Sequence, residues 1–143
     1  MCELERKTKS LYSRTTESLT KDRIMTHKDL TVWKESIELV VAVYELAQKL
    51  PSDEKFGLIS QLKRAAVSVP SNISEGAGRS STKEFMRFID IANGSLSELE
   101  TQLIIVEKLN LYKTAILIET KVTPIRKMLY KLKQALIKKT AEK

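Results

Sequence analysis

Apolar side chains recur at spacings of three and four residues in four separate stretches of this chain, and that spacing constrains the fold more than any other feature. It aligns side chains along one face of a helix, whereas a half-buried strand needs alternation by two. From Asp29 to Leu50 the spaced positions are Leu30, Trp33, Ile37, Val40, Val41, Tyr44 and Leu50, with Leu46 and Ala47 on the same broad face. This predicts a first helix stopped by Pro51, after which Ser52 or Asp53 supplies an acceptor for the free amides of the next one. The second stretch starts near Glu54 and presents Phe56, Ile59, Leu62, Ala66 and Val69, broadened by Leu58 and Ala65. Pro70 lacks an amide donor and its ring opposes the Ala66 carbonyl, so the helix either ends near Val69 or bends and runs to about Glu75. Ile73, four residues past Val69, and the stop offered by Gly76 and Gly78 favour the bent helix.

Ser81 and Glu84 have the spacing of a capping box and open a long third helix, placed at 82–110. Phe85, Phe88, Ile89, Ala92, Leu96, Leu99, Leu103, Val106 and Leu109 keep its period, and Gly94 and Ser95 would let a neighbouring backbone come close. The fourth stretch begins near Thr114 or Ala115 and carries Ile118, Val122, Ile125, Leu129, Leu132, Leu136 and Ile137, with Pro124 either dividing or kinking it. Four such helices on short connections bury their faces most economically as an all-α, up-and-down antiparallel four-helix bundle. The bundle is placed at 26–140, after an N-terminal extension, 1–25, and before a terminal tail, 141–143.

Composition narrows the chemistry. One cysteine and one histidine in 143 residues exclude an intrachain disulfide framework, zinc fingers, histidine-containing di-iron sites and His-based triads. Four glycines leave no phosphate-cradling loop, so the chain reads as a non-enzyme with no metal and no cofactor. His27 reads as a cap or surface residue, and Trp33, Tyr44, Phe56, Phe85 and Phe88 as core or interface aromatics ahead of base-stacking ones. No apolar run reaches the roughly 18 to 20 residues of a membrane span. Residues 1–25 lack the apolar centre of a secretory signal, and a reducing cytoplasm is the expected compartment.

Charge is unevenly spread. Residues 1–25 carry six basic and four acidic groups, and 26–120 carry eleven basic and thirteen acidic. In 121–143 eight basic groups oppose Glu142 alone, a net of +7. A focused positive field attracts polyanions, which makes nucleic acid the leading partner, with an anionic membrane or acidic protein behind it. The competing reading is a solvated helix end whose lysines complement the dipole. Lys127, Lys131, Lys133, Lys138 and Lys139 are the candidate electrostatic contacts. A second polar block, Gln61, Arg64, Asn72, Glu75, Arg79 and Glu84, spans the second-helix exit and third-helix entrance. Arg64 and Arg79 would contact phosphates there, or the block is a network that fastens two helices. Glu98 and Glu100, two residues apart, do not face one point and make with Asp90 only a weak acid-base set.

The segments “DLTVWKESIELVVAVYELAQKLP”, “EKFGLISQLKRAAVSVPSNISEGAGRSSTKEFMRFIDIANGSLSELETQL” and “PIRKMLYKLKQAL” resemble the bundle proteins encoded in intervening sequences of bacterial 23S ribosomal RNA genes, also labelled S23 ribosomal proteins. The resemblance runs from about Leu30 to Leu136. It places Gln61, Arg64, Ser68, Pro70, Asn72, Ile73, Glu75, Gly76, Gly78 and Arg79 in a characteristic helix-exit pattern, and Phe85, Ala92, Gly94, Ser95, Glu98, Leu99 and Glu100 in a third-helix pattern. It implies a four-helix bundle and a ring-like homo-oligomer, a pentamer, with no known reaction. The chain is also similar to basic accessory bundles of diversity-generating retroelements. That likeness implies nucleic-acid binding, with RNA set slightly ahead of DNA.

Overall fold

A computed structural model describes residues 26–54 and 57–142 of the chain. The N-terminal extension, Phe56 and Lys143 lie outside the described residues. Within them the architecture is all-α, with no strand, and the long helices run up and down as a four-helix bundle. Helix α1 is Thr31–Ala47, α2 is Leu58–Ala77 and α3 is Thr82–Lys108. The fourth element, α4, is continuous over 115–141: a single turn Ala115–Leu117, a π-helical turn Ile118–Val122, then α-helix Thr123–Ala141.

The first helix is shorter than its apolar pattern and is turned about its axis. A 3-10 turn, His27–Asp29, precedes it, and it ends at Ala47, four residues before Pro51. Its buried stripe is Val32, Ser36, Leu39, Val43, Leu46 and Leu50. The stripe read from Leu30, Trp33, Ile37 and Val40 is the half-buried flank, and Val41 and Tyr44 are exposed. Ser36 hid the true register. Its hydroxyl donates to the Trp33 carbonyl at 2.7 Å, which satisfies it locally and lets a polar residue sit fully buried.

Helix α2 starts at Leu58, later than Glu54, because Ser52–Glu54 forms its own 3-10 turn. The Leu58 amide donates to Glu54 Oε2 at 3.4 Å, so Glu54 fills the capping place expected of Ser52 or Asp53. The helix then passes through the buried Pro70 and continues to Ala77, with Ile73 in the core, as the bent-helix reading requires.

Gly76 is not a stop. It is buried inside α2 where a Cβ would lie 2.7 Å from Phe88 Cβ and 3.0 Å from Phe85 Cδ1, so its lack of a side chain sets how closely α3 approaches. Gly94, by contrast, has nothing within 4 Å of its Cβ position and faces outward. The close approach expected at Gly94 is therefore made at Gly76. Ser95 does face α2, where its hydroxyl meets that of Ser68 at 2.8 Å.

Ser81 caps α3 by accepting from the Glu84 amide at 3.1 Å. The helix ends at Lys108, and Asn110 takes a left-handed φ of 56°. The Leu111 amide returns to the Val106 carbonyl and that of Asn110 to Glu107, a Schellman termination in which asparagine occupies the usual glycine position. Thr114 then locks α4 onto α3, its hydroxyl donating to the Leu103 carbonyl at 2.7 Å. In α4 the π-helical turn immediately precedes Thr123 and Pro124, which stands in the first turn of Thr123–Ala141. A π turn bonds residue i to i+5, so it relaxes the backbone where the ring of Pro124 would meet the Thr120 carbonyl. The proline thus neither divides the element nor ends it. The large, fully buried side chains among the described residues are all aliphatic, including Leu39, Leu62, Ile73, Leu96, Leu99, Leu103, Ile125 and Leu129.

Candidate nucleic-acid interface

The segment Thr123–Ala141 contains no acidic side chain. Its core stripe, Ile125, Leu129 and Leu136, fixes which side faces inward, and the helical period then sets the opposite side. Lys127, Lys131, Gln134 and Lys138 follow one another at steps of four, three and four and are all exposed. Lys139 is exposed beside them. None of these four lysines makes an ion pair among the described residues.

Lys133 differs. It points to the α3 seam, is only 37% exposed along its side chain, and donates to Asp90 Oδ1 at 2.6 Å. Arg126 does the same further along, reaching Asn93 Oδ1 at 3.2 Å, Ser97 Oγ at 2.9 Å and the Glu100 carboxylate. These contacts run antiparallel, Asp90 to Lys133 and Glu100 to Arg126, and tie α3 to α4. Glu98 takes the amide of Gln102 at 3.3 Å, and the Gln102 Oε1 is buried without a partner among the described residues. The acidic groups of α3 are therefore spent on seam and helix contacts.

The α2 block divides in the same way. Gln61 and Arg64 are exposed, and Arg64 lacks an ion pair among the described residues. Asn72 turns inward, its Nδ2 donating to the Ser68 carbonyl at 2.8 Å and to Ser68 Oγ at 2.9 Å, and through the Ser68–Ser95 contact it joins α2 to α3. Glu75 pairs with Arg79 along the helix, and Glu84 lies 3.6 Å from Arg87. Both arginines lie over the Phe88 ring, at 5.0 Å and 5.4 Å from its centroid. Asn72 thus serves the helix junction, while Arg64 faces outward. Helix α2 packs on α1 and α3, and α4 packs on α3 and α1, so the two are diagonal. Within one chain Arg64 therefore stands on a helix diagonal to the one that carries the α4 lysines, while Arg79, past the end of α2, lies over Phe88 of α3.

Sequence reasoning passed over Tyr130. It stands off the apolar repeat of α4 and is 66% exposed between Lys127 and Lys131. Among the aromatics it did name, Trp33 and Phe85 pack against the core, Tyr44 lies on the surface under Lys63, and His27 sits edge-on to Trp33 at 5.1 Å. Among the described residues no group of His, Cys, Asp and Glu is placed to hold a metal ion, and no helix is long and apolar enough to cross a membrane.

No curated relative matches the chain at a significant level. A family model does, over residues 28–131, which takes in all of α1 to α3, the π turn and the first two turns of the basic helix. With most of the bundle inside that match, the chain belongs to the 23S rRNA-intervening sequence protein family.

Proposed function

We propose that the protein is a noncatalytic, homo-oligomeric bundle of the bacterial cytoplasm that binds nucleic acid through a basic surface repeated once per subunit. The observation that carries this reading is the exposed, unpaired row Lys127, Lys131 and Lys138 on a helix segment free of acidic groups. The other basic residues of that segment that face α3, Arg126 and Lys133, are neutralised within the fold, so the row is what remains for a polyanion. Each chain offers few groups to a phosphate backbone, and a ring of subunits multiplies them without a deep pocket in any one. Structured RNA comes first as ligand because the family's description ties its members to 23S rRNA intervening sequences. A role as scaffold for an acidic protein is the reading to be separated from it.

The test replaces Lys127, Lys131, Lys138 and Lys139 by glutamine and titrates the native oligomer with RNA, DNA and an unrelated polyanion at several salt concentrations. The slope of log K against log salt should shrink by about 0.7 to 0.9 for each phosphate that the variant no longer neutralises. An unchanged slope in a folded variant removes the lysine row from the interface. Absence of nucleic-acid binding by the wild-type oligomer favours the scaffold.

A further inference from the structure

A groove of about 420 Å³ runs between α3 and α4, its lining including Ile89, Asn93, Leu129, Tyr130 and Gln134. Its floor is apolar, through Ile89 and Leu129, both buried, and one lip is the exposed ring of Tyr130. The charged groups that line it are each paired, Asp90 with Lys133 and Arg126 with Glu100 further along α3. Just outside the lip stand Lys127 and Lys131, three residues before and one after Tyr130, with no acidic partner among the described residues. An exposed aromatic ring, flanked by unpaired cations and backed by amide side chains at Asn93 and Gln134, has the chemistry that holds a base by its flat face and a phosphate by its charge.

From this arrangement we infer that the α3–α4 groove takes single-stranded nucleic acid, with a base stacked on Tyr130 and the backbone passing along Lys127 and Lys131. The inference rests on the nucleic-acid reading above and narrows it. Bases within a duplex are stacked on one another and offer no free face, so Tyr130 contributes only where the strand is single or looped. Among the described residues the Tyr130 ring stacks on no other ring and lies under no cation, so removing it leaves the bundle's interior unchanged.

The experiment compares wild type, Tyr130→Ala, Tyr130→Phe and the double variant Lys127→Gln/Lys131→Gln as intact oligomers. The probes are a single-stranded RNA oligonucleotide carrying 2-aminopurine and the duplex formed with its complement. Y130A should bind the single strand roughly ten- to hundredfold more weakly, lose the fluorescence quenching caused by stacking, and keep the salt slope and the duplex affinity of wild type. Y130F, which retains the ring, should behave as wild type. The lysine variant should instead lower the salt slope for both probes. If Y130A binds and quenches like wild type, the stacking site is wrong, and salt-dependent binding by wild type would still support the electrostatic reading. If wild type binds neither probe, that broader reading fails, and this inference fails with it.

Discussion

Two glycines show how much one side chain's surroundings decide. At Gly76 a methyl group would have to share space with Phe88 Cβ at 2.7 Å, and the nearest atoms belong to a packed helix and not to a mobile side-chain tip. Gly76→Ala should therefore push α2 from α3 and lower stability by about 1–3 kcal/mol. At Gly94 the same methyl meets open space within a regular helix. Gly94→Ala should raise stability by roughly 0.8–1 kcal/mol, because alanine loses less backbone entropy on entering a helix. Thermal unfolding of the two variants checks both signs, and equal effects would refute the contrast. Sequence alone assigned these residues the wrong roles. Gly76 reads as part of a helix stop and Gly94 as a place of close approach, and only the crossing point of α2 and α3 tells which one is covered. Tyr130 was missed for the reverse reason. It interrupts no pattern, and a single off-period aromatic attracts attention only once its exposure is known.

At the scale of elements, the three- and four-residue spacing was enough to place each helix, and what it misjudged were rotations and ends. Helix α1 is apolar around much of its girth, so more than one stripe fits the spacing, and the buried one contains Ser36, a polar residue satisfied by its hydrogen bond to the Trp33 carbonyl. Ends depend on individual acceptors such as Glu54 and on the left-handed Asn110, neither of which alters the apolar period. The seam between α3 and α4 was likewise out of reach, since it joins residues more than twenty-five positions apart in the chain. Arg126 is its hub, with Asn93, Ser97 and Glu100 all accepting from one guanidinium that is about one-third exposed. Arg126→Ala should cost roughly 1–2 kcal/mol in denaturant unfolding, more than an exposed ion pair would, because three acceptors are deprived of their donor together. A double-mutant cycle with Glu100→Gln should show coupling below that total, the remainder belonging to Asn93 and Ser97. No coupling at all would mean that Arg126 acts by packing alone.

For the whole molecule, the uneven charge was legible from residue counts, but its partition was not. The structure draws Arg126 and Lys133 into the fold and leaves Lys127, Lys131 and Lys138 outside. The interior and the charged exterior of α4 are thus opposite sides of one rod, set in phase by the segment that leads into it. That segment is the π-helical turn Ile118–Val122, whose wider loop encloses one residue more than an ordinary helical turn. It acts as slack in the chain's length. Removing one residue between Glu119 and Lys121 should shorten the turn and keep the lysine row facing outward, at the cost of crowding Pro124. Removing one residue between Lys127 and Leu129 should rotate everything beyond it by about 100°, turning Leu132 and Leu136 out to the exposed places of Lys131 and Ala135 and weakening cooperative unfolding. Comparing the two deletions by circular dichroism melts reads this difference directly. On this expectation the π-helical turn is a place where the length of α4 can change by a residue without changing which of its sides faces solvent.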